Sequence, residues 1–313
     1  MTATTAITVR VPAKVNLQLA VGPAREDGYH DLVNVFHAVA LFDEVTVREP
    51  RPRAELPLVG LSVSGDLGPH LARVPLDATN LAARAARLVA RETASATPVE
   101  LHLHKRIPVA GGMAGGSADA AGALVACNTF WSAGLSDGDL LALAAELGSD
   151  VAFPLVGGTA VGTGRGEVLT PADSPGRYHW VFALAEGGLS TPDVFGEYDR
   201  LRPGAPEPAG DPELMAALAA GDAARLGAAL SNDLERAALS LRPDLAGVLA
   251  AGRAAGALGA IVSGSGPTCA FLAASAAEAA EIAAALDASG RCAATVTTQG
   301  HADGARVVDP AED

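Results

Sequence analysis

Aromatic side chains are scarce in this chain of 313 residues, at 4% of the total. That excludes an interior built on stacked rings, so the core has to come from Ala, Val and Leu. Lysine is scarcer still. Basic charge is carried almost wholly by arginine, and only Lys14 and Lys105 remain. Each marks a position where a compact, tunable ammonium serves and a planar guanidinium does not. Cysteine is limited to Cys127, Cys269 and Cys292. This odd, widely spaced set has no C-x-x-C, which excludes a disulfide framework and a cysteine-based zinc site and suits thiols in a reducing compartment. No predominantly apolar run reaches the ~18 residues of a membrane-spanning helix. Met1–Ile7 has neither the charged nor the apolar region of a secretory leader. A cytoplasmic protein without membrane contact is expected. Positive charge is also short overall: a net charge of −14 argues against nucleic acid, which requires a basic face. It leaves room for a small anionic ligand held by local donors.

What is present is globular, with 49% hydrophobic and 19% charged residues, and the length predicts two domains rather than one. The most constraining stretch is Pro108–Val109–Ala110–Gly111–Gly112–Met113–Ala114–Gly115–Gly116–Ser117–Ala118, with an Ala-rich run behind it. Small residues leave backbone N–H groups uncovered, and the following run predicts a helix whose N-terminus favours an anion. The loop is not a Walker A motif, because Ser117–Ala118 stands where Lys–Ser/Thr is needed, and no G-x-G-x-x-G can be laid over it. Alone it reads equally well as a small-residue turn that lets a helix pack closely. Lys105 lies three residues before it. Lys14 shares one face of a period-2 segment with Asn16 and Gln18, flanked by apolar residues that argue against full solvation.

Around these stretches the pattern alternates between strands and helices. Strands are predicted over 6–20 with a bend at Pro12–Ala13, within 33–47, over 61–64 and over 99–104. A helix over 81–92 follows Thr79 or Asn80 as cap. Further helices are predicted over 118–131 and 139–147, the latter ended by Gly148–Ser149–Asp150. A glycine-rich hairpin over 161–168 adjoins the predicted domain boundary. A strand over 178–185, Ala-rich helices to about residue 256, a strand–turn–strand over 260–272, a helix over 275–288 and a strand over 292–298 follow. The tail from His301 is expected to fray apart from Val307–Val308. His102 and His104 share a strand face but have no third ligand nearby, so an ordinary strand face is expected.

Three ordered segments, Pro12–Ala–Lys14–Val–Asn16, Pro108–Ala121 and Ser263–Gly–Ser–Gly–Pro–Thr268, resemble the galactokinase, homoserine kinase, mevalonate kinase and phosphomevalonate kinase superfamily (GHMP kinases). A narrower resemblance rests on Pro12–Ala–Lys14–Val–Asn16–Leu, Asp27–Gly28–Tyr29–His30–Asp31–Leu, Gly148–Ser–Asp150–Val and Thr191–Pro–Asp–Val–Phe195. It points to the branch that phosphorylates the 2-hydroxyl of a cytidine-diphosphate methylerythritol in non-mevalonate isoprenoid synthesis. The resemblance runs essentially end to end. The implied fold is α+β in two domains: a ribosomal-protein-S5-like α/β domain over 1–165 that binds ATP, and a ferredoxin-like α+β domain over 166–313 on the substrate side. The implied reaction moves the γ-phosphoryl of ATP to an alcohol, with Mg²⁺ near Ser117 and the loop Pro108–Ala118 around the phosphates.

Lys14 and Asp150 are the implied catalytic pair, with Asp150 accepting the hydroxyl proton and Lys14 holding the alkoxide and phosphoryl oxygens. Lys105 and Asn80 are implied on the nucleotide side. Asn16, Tyr29, His30, Thr191 and Phe195 are implied around the acceptor, the rings framing its cytosine, and Gly264–Gly266 closes the site by its backbone. A Cβ at Gly115 is expected to crowd the phosphates. A monomer or a homodimer fits equally. The chain departs from the family pattern at Val151–Ala–Phe–Pro154, where a proline usually follows the Asp–Val pair directly, and at Met113, usually leucine. Homoserine or mevalonate kinase chemistry and a non-catalytic nucleotide sensor stay open as alternatives.

Overall fold

The computed structural model describes residues 6–50, 58–66, 68–95, 97–109 and 111–308. Two long strands, β1 (Ala6–Ala24) and β2 (His30–Arg48), form a hairpin across a turn in which Gly28 takes φ +81°. Then come β3 (Val59–Gly65), a short 3₁₀ turn, α1 (Leu81–Glu92), β4 (Val99–Lys105), α2 (Gly115–Phe130), α3 (Asp137–Leu147) and α4 (Ala152–Val156). A second hairpin, β5 (Thr159–Thr163) with β6 (Val168–Pro171), leads to β7 (Tyr178–Leu184). The later half holds α5 (Thr191–Leu201), α6 (Pro212–Ala220), α7 (Ala223–Ala229), β8 (Ser231–Asn232), α8 (Glu235–Leu241) and α9 (Asp244–Ala254). It ends with β9 (Gly259–Val262), β10 (Cys269–Ala273), α10 (Ala276–Ala288), β11 (Ala294–Gly300) and β12 (Arg306–Val308).

The strands join in one sheet along the path β12-β1-β2-β11-β7-β10-β9. β2 divides its far edge: Asn34–His37 pair with β5, Val39 meets β11, and Glu44–Arg48 pair with β4. This long strand therefore carries both halves of the chain. β7 is buried on both faces, sending Tyr178, Trp180 and Phe182 to one core and Val181 and Ala183 to the other. An unbroken apolar run is what such a strand requires.

The helices start where the sequence supplies caps. Asn80 accepts from Ala82 N at the head of α1, Ser136 and Asp139 close a capping box on α3, and Ser190 caps α5 with Pro192 in its first turn. Few rings mean close approach between elements. A Cβ on Gly122 of α2 would lie 2.7 Å from Val45 Cγ2, so that glycine sets the helix tight against the sheet.

Three stretches add detail to the sequence reading. The bend expected at Pro12–Ala13 is a register shift through which β1 continues, the bulge absorbing the missing donor. Residues 152–156 form a short helix, because the proline after Asp150 comes late enough to sit inside a first turn. The tail does not fray before residue 308: β12 pairs with Thr8–Arg10 of β1, and Ala302 is buried. Among the described residues no helix is long and apolar enough to cross a membrane.

Candidate active site

A cavity of about 780 Å³ opens between the β1–β2 hairpin, the start of α2, the turn before α4, α5 and the β9–β10 turn. β1 delivers Lys14 and Asn16 to its floor. The Lys14 side chain is only 3% exposed, and its Nζ donates to Asn16 Oδ1 at 2.6 Å and lies 3.6 Å from Asp150 Oδ2. Asn16 Nδ2 in turn donates to Asn34 Oδ1 at 2.8 Å. Burial lowers the pKa of Lys14, with the Asp150 carboxylate acting in the opposite direction. Asp150 follows Gly148, the residue that ends α3, and its side chain is 38% exposed toward the cavity. Gln18 does not join them. A register shift between Asn16 and Gln18 turns it to bond Ala209 O and Asp211 N.

The glycine-rich loop lies over the same floor. Ala114 precedes α2 in the left-handed region at φ +60°, and no side chain caps the helix. The first N–H groups of α2 are thus left for an outside acceptor at the positive end of the helix dipole. Gly111, Gly112, Ala114, Gly115, Gly116 and Ser117 all line the cavity. Lys14 N donates to Met113 O at 3.4 Å, and Ser263 Oγ donates to Gly112 O at 3.1 Å. Gly112, at φ +71°, comes so close to the β9–β10 turn that a Cβ would lie 2.0 Å from Ser263 O.

At the other end β2 opens with His30, whose ring faces Phe195 with centroids 4.9 Å apart. Tyr29 is 52% exposed, with the Arg165 guanidinium 5.1 Å from its ring centroid. Thr191 Oγ1 and Ser265 Oγ are 2.9 Å apart, tying the head of α5 to the β9–β10 turn, and Gly264 and Gly266 also line the cavity.

Several residues with implied roles lie elsewhere. Lys105 is 1% exposed beneath the loop, where its Nζ contacts Asp43 Oδ2, Asp119 Oδ2 at 2.7 Å and Gly115 O at 3.2 Å. Its charge is spent inside the protein, so the expectation that it meets the nucleotide is corrected. Burial acts to lower the Lys105 pKa, and the facing carboxylates more than reverse this. Burial pushes the Asp119 carboxyl up to about 7, Lys105 opposing and Asp43 assisting. Asn80 is likewise withdrawn, its side chain occupied by Ala82 N and Pro75 O. Met113 and Ala118 are fully buried, and neither they nor Pro108 and Val109 line the cavity. Ala110 lies outside the described residues. The Gly115 Cβ direction points at Ile107 Cγ2 (3.2 Å) and Lys105 Nζ (3.4 Å), into the protein and away from the cavity. Asn34, Ser149, Arg165 and Asp199 line the cavity without having been singled out from the sequence. His102 and His104 are engaged by Ser62 and Ser64, and no group of three or more His, Cys, Asp or Glu among the described residues could hold a metal.

A two-part α+β fold with an uncapped helix behind a glycine loop, facing a buried lysine paired with a cavity-exposed aspartate, is the architecture of GHMP kinases. The family model for the GHMP kinases N terminal domain matches residues 80–158, and that for the GHMP kinases C terminal matches residues 214–292. The 4-diphosphocytidyl-2-C-methyl-D-erythritol kinase of Thermobifida fusca (strain YX) is 68% identical over 310 residues, covering 98% of this chain and all of that protein. Its namesake in Streptomyces coelicolor (strain ATCC BAA-471 / A3(2) / M145) is 59% identical over 305 residues, covering 97% and 99%. A crystal structure of 4-(cytidine 5'-diphospho)-2C-methyl-D-erythritol kinase superposes with a TM-score of 0.73 at 34% identity, over 94% of this chain and 100% of that one. Homoserine kinase from Cytophaga hutchinsonii reaches the same TM-score at 20% identity, over 98% and 99%, a likeness of fold. The chain belongs to the 4-diphosphocytidyl-2-C-methyl-D-erythritol kinase family of GHMP kinases.

Proposed function

We propose that this chain transfers the γ-phosphoryl group of ATP to the 2-hydroxyl of 4-diphosphocytidyl-2-C-methyl-D-erythritol, a step of the non-mevalonate route to isoprenoid precursors. The observation that carries the mechanism is the Lys14–Asp150 pair at 3.6 Å, on the floor of the cavity that the free N-terminus of α2 also faces. Phosphoryl transfer asks a protein mainly for positioning and charge neutralisation. In this reading Gly111–Gly116 and the head of α2 receive the triphosphate through backbone N–H groups. Asp150, the more exposed partner, takes the proton of the acceptor hydroxyl. Lys14 steadies the developing alkoxide and the phosphoryl oxygens from below. Asn16 and Asn34 keep the ammonium in place. Tyr29, His30, Thr191 and Phe195 surround the cytidylyl end.

Mg²⁺ fits this donor set. The Ser117 hydroxyl is a hard oxygen donor on the cavity wall, beside the loop that would receive the phosphates. Ser117 would hold it, and its chemistry would be neutralisation of phosphate charge. We divide the chain into an ATP-binding part, 1–165, and a substrate-side part, 166–313, with β2 as the shared strand. The reduced thiols Cys127, Cys269 and Cys292 support a cytoplasmic setting.

ATP turnover compared on the cytidylyl substrate, homoserine and mevalonate tests the substrate. Response confined to the latter two would overturn it. Asp150→Asn is expected to abolish turnover while keeping ATP binding; a variant that still turns over at the normal rate would remove Asp150 from the chemistry.

A further inference from the structure

Lys14 stops short of its carboxylate partner. Its Nζ lies 3.6 Å from Asp150 Oδ2, whereas an ammonium free to close on a carboxylate settles at about 2.7–2.9 Å. Asn16 Oδ1, at 2.6 Å, holds the ammonium on one side. The Phe36 ring presents its face on another, with Nζ 5.9 Å from the centroid. That is inside the roughly 6 Å over which the electron-rich face of a ring attracts a cation. Phe36 is itself fixed. It is fully buried, Phe153 stacks on it with centroids 4.9 Å apart and planes 19° from parallel, and a Cβ on Gly162 of β5 would lie 2.7 Å from its Cε2. The two rings sit with Ala38, Ala160 and Ala302 in a small core separate from the two large ones. Phe153 belongs to α4, three residues after Asp150. One stacked pair therefore sets a ring against the ammonium and anchors the helix that follows the carboxylate.

We propose that Phe36 is a positioning residue for Lys14: its π face holds the ammonium back from Asp150 and so leaves the carboxylate open to a proton from the acceptor alcohol. If the two closed into a direct ion pair, an Nζ–H would occupy the carboxylate oxygen and weaken it as a base. Held short, Lys14 keeps its charge toward the developing alkoxide while Asp150 keeps a lone pair free. A leucine would fill much of the same space but has no electron-rich face to offer. The inference rests on the functional reading above, which gives the proton to Asp150 and the alkoxide to Lys14.

The test replaces Phe36 in the full chain by mono-, di- and trifluorophenylalanine. Each fluorine withdraws electron density from the ring face and changes its volume little. With ATP and the cytidylyl substrate, kcat should fall stepwise to about a tenth at the trifluoro ring, the rate equivalent of one desolvated ring–cation contact. Both KM values and the melting temperature should stay close to wild type, because size and packing are kept. Phe36→Leu should show the same loss of kcat together with a lowered melting temperature. A second readout needs no turnover. With only two lysines in the chain, lysine-labelled protein gives two ε-methylene signals, and Lys14→Arg identifies the one from Lys14. In the wild type that signal should be displaced upfield by the ring and should return toward an ordinary lysine position in Phe36→Leu. A flat kcat across the fluorinated series, or a Lys14 signal indifferent to Phe36→Leu, would overturn the inference. So would parallel losses in kcat, both KM values and melting temperature across that series, which mark a merely structural contact. Wild-type protein inert toward the cytidylyl substrate would overturn the functional reading and the role given to Phe36 together. A normal wild type with a flat series would overturn this inference alone.

Discussion

Replacing Lys105 by methionine tests whether the second lysine serves the fold or the nucleotide. The substitution keeps length and removes charge. It leaves Asp43, fully buried, facing Asp119, whose Oδ1 already lacks a partner among the described residues. Asp43 Oδ1 keeps its bonds from Arg106 N and Ile107 N, but its Oδ2 and Asp119 Oδ2 lose their common donor. Breaking a buried ion pair from one side costs about 3–5 kcal/mol, against a total stability of roughly 5–15 kcal/mol for a folded domain.

The cost depends on pH with a definite sign. Asp119 has a folded pKa near 7, above its ordinary 3.8. Between these values the folded chain keeps a proton that the unfolded chain releases, so this group's contribution to stability falls as pH rises through the window. Without the ammonium the upper edge of the window moves higher, and the deficit of Lys105→Met should be larger at pH 8 than at pH 6. Urea unfolding at both pH values, with nucleotide titration of the folded variant, reads the outcome. Adding Asp119→Leu should return part of the loss. A variant as stable as wild type with sharply weakened ATP binding would refute the reasoning and return Lys105 to the phosphates.

Lys14→Arg should lower kcat about 10²–10³-fold with little change in ATP affinity by calorimetry, because Nζ is hemmed in by Asn16 and by Gly264, whose Cβ direction meets it at 3.4 Å; normal turnover would refute it. Gly112→Ala should reduce melting temperature and ATP affinity together, since the methyl meets Ser263 O and the backbone sits at φ +71°. Gly115→Val should cost about 1–3 kcal/mol in stability through crowding of Ile107 and Lys105, seen as a lowered melting temperature. Burial, aided by His301, depresses His37 to about 3 from an ordinary 6.5. The unfolded chain takes up a proton below 6.5 that the folded chain refuses, so stability should fall as pH drops from about 6.5 to about 3; His37→Gln should flatten that acid limb in a pH series of denaturation curves.

Much of the fold was legible because its signals are local: a cap and an Ala-rich period for α1, alternation for β4, a glycine–proline turn between β9 and β10. The floor of the cavity was partly legible through lysine scarcity, which marks both lysines without saying which one faces a ligand. The missing discriminator was in plain view. Val99, Leu101, Leu103 and Lys105 share one face of β4, and that face is the buried one, so the alternation already pointed Lys105 into the core. Asp43 falls in step with Val45 and Val47 on β2 in the same way. Asp199 and Arg165 could not be found by pattern. Both sit in polar stretches, and the packing of α5 against His30 and of the β5–β6 turn against Tyr29 is what brings them to the cavity. Asn80 misled because a family motif and a helix cap call for the same residue.

The glycine-rich loop is clasped from remote parts of the chain: its Met113 carbonyl by the opening strand, its Gly112 carbonyl by a serine 151 positions away. Substitutions in these two stretches are therefore expected to be coupled. The effect of a change near Ser263 is expected to depend on the sequence of the loop it holds, so chimeras should exchange loop and late turn as one cassette.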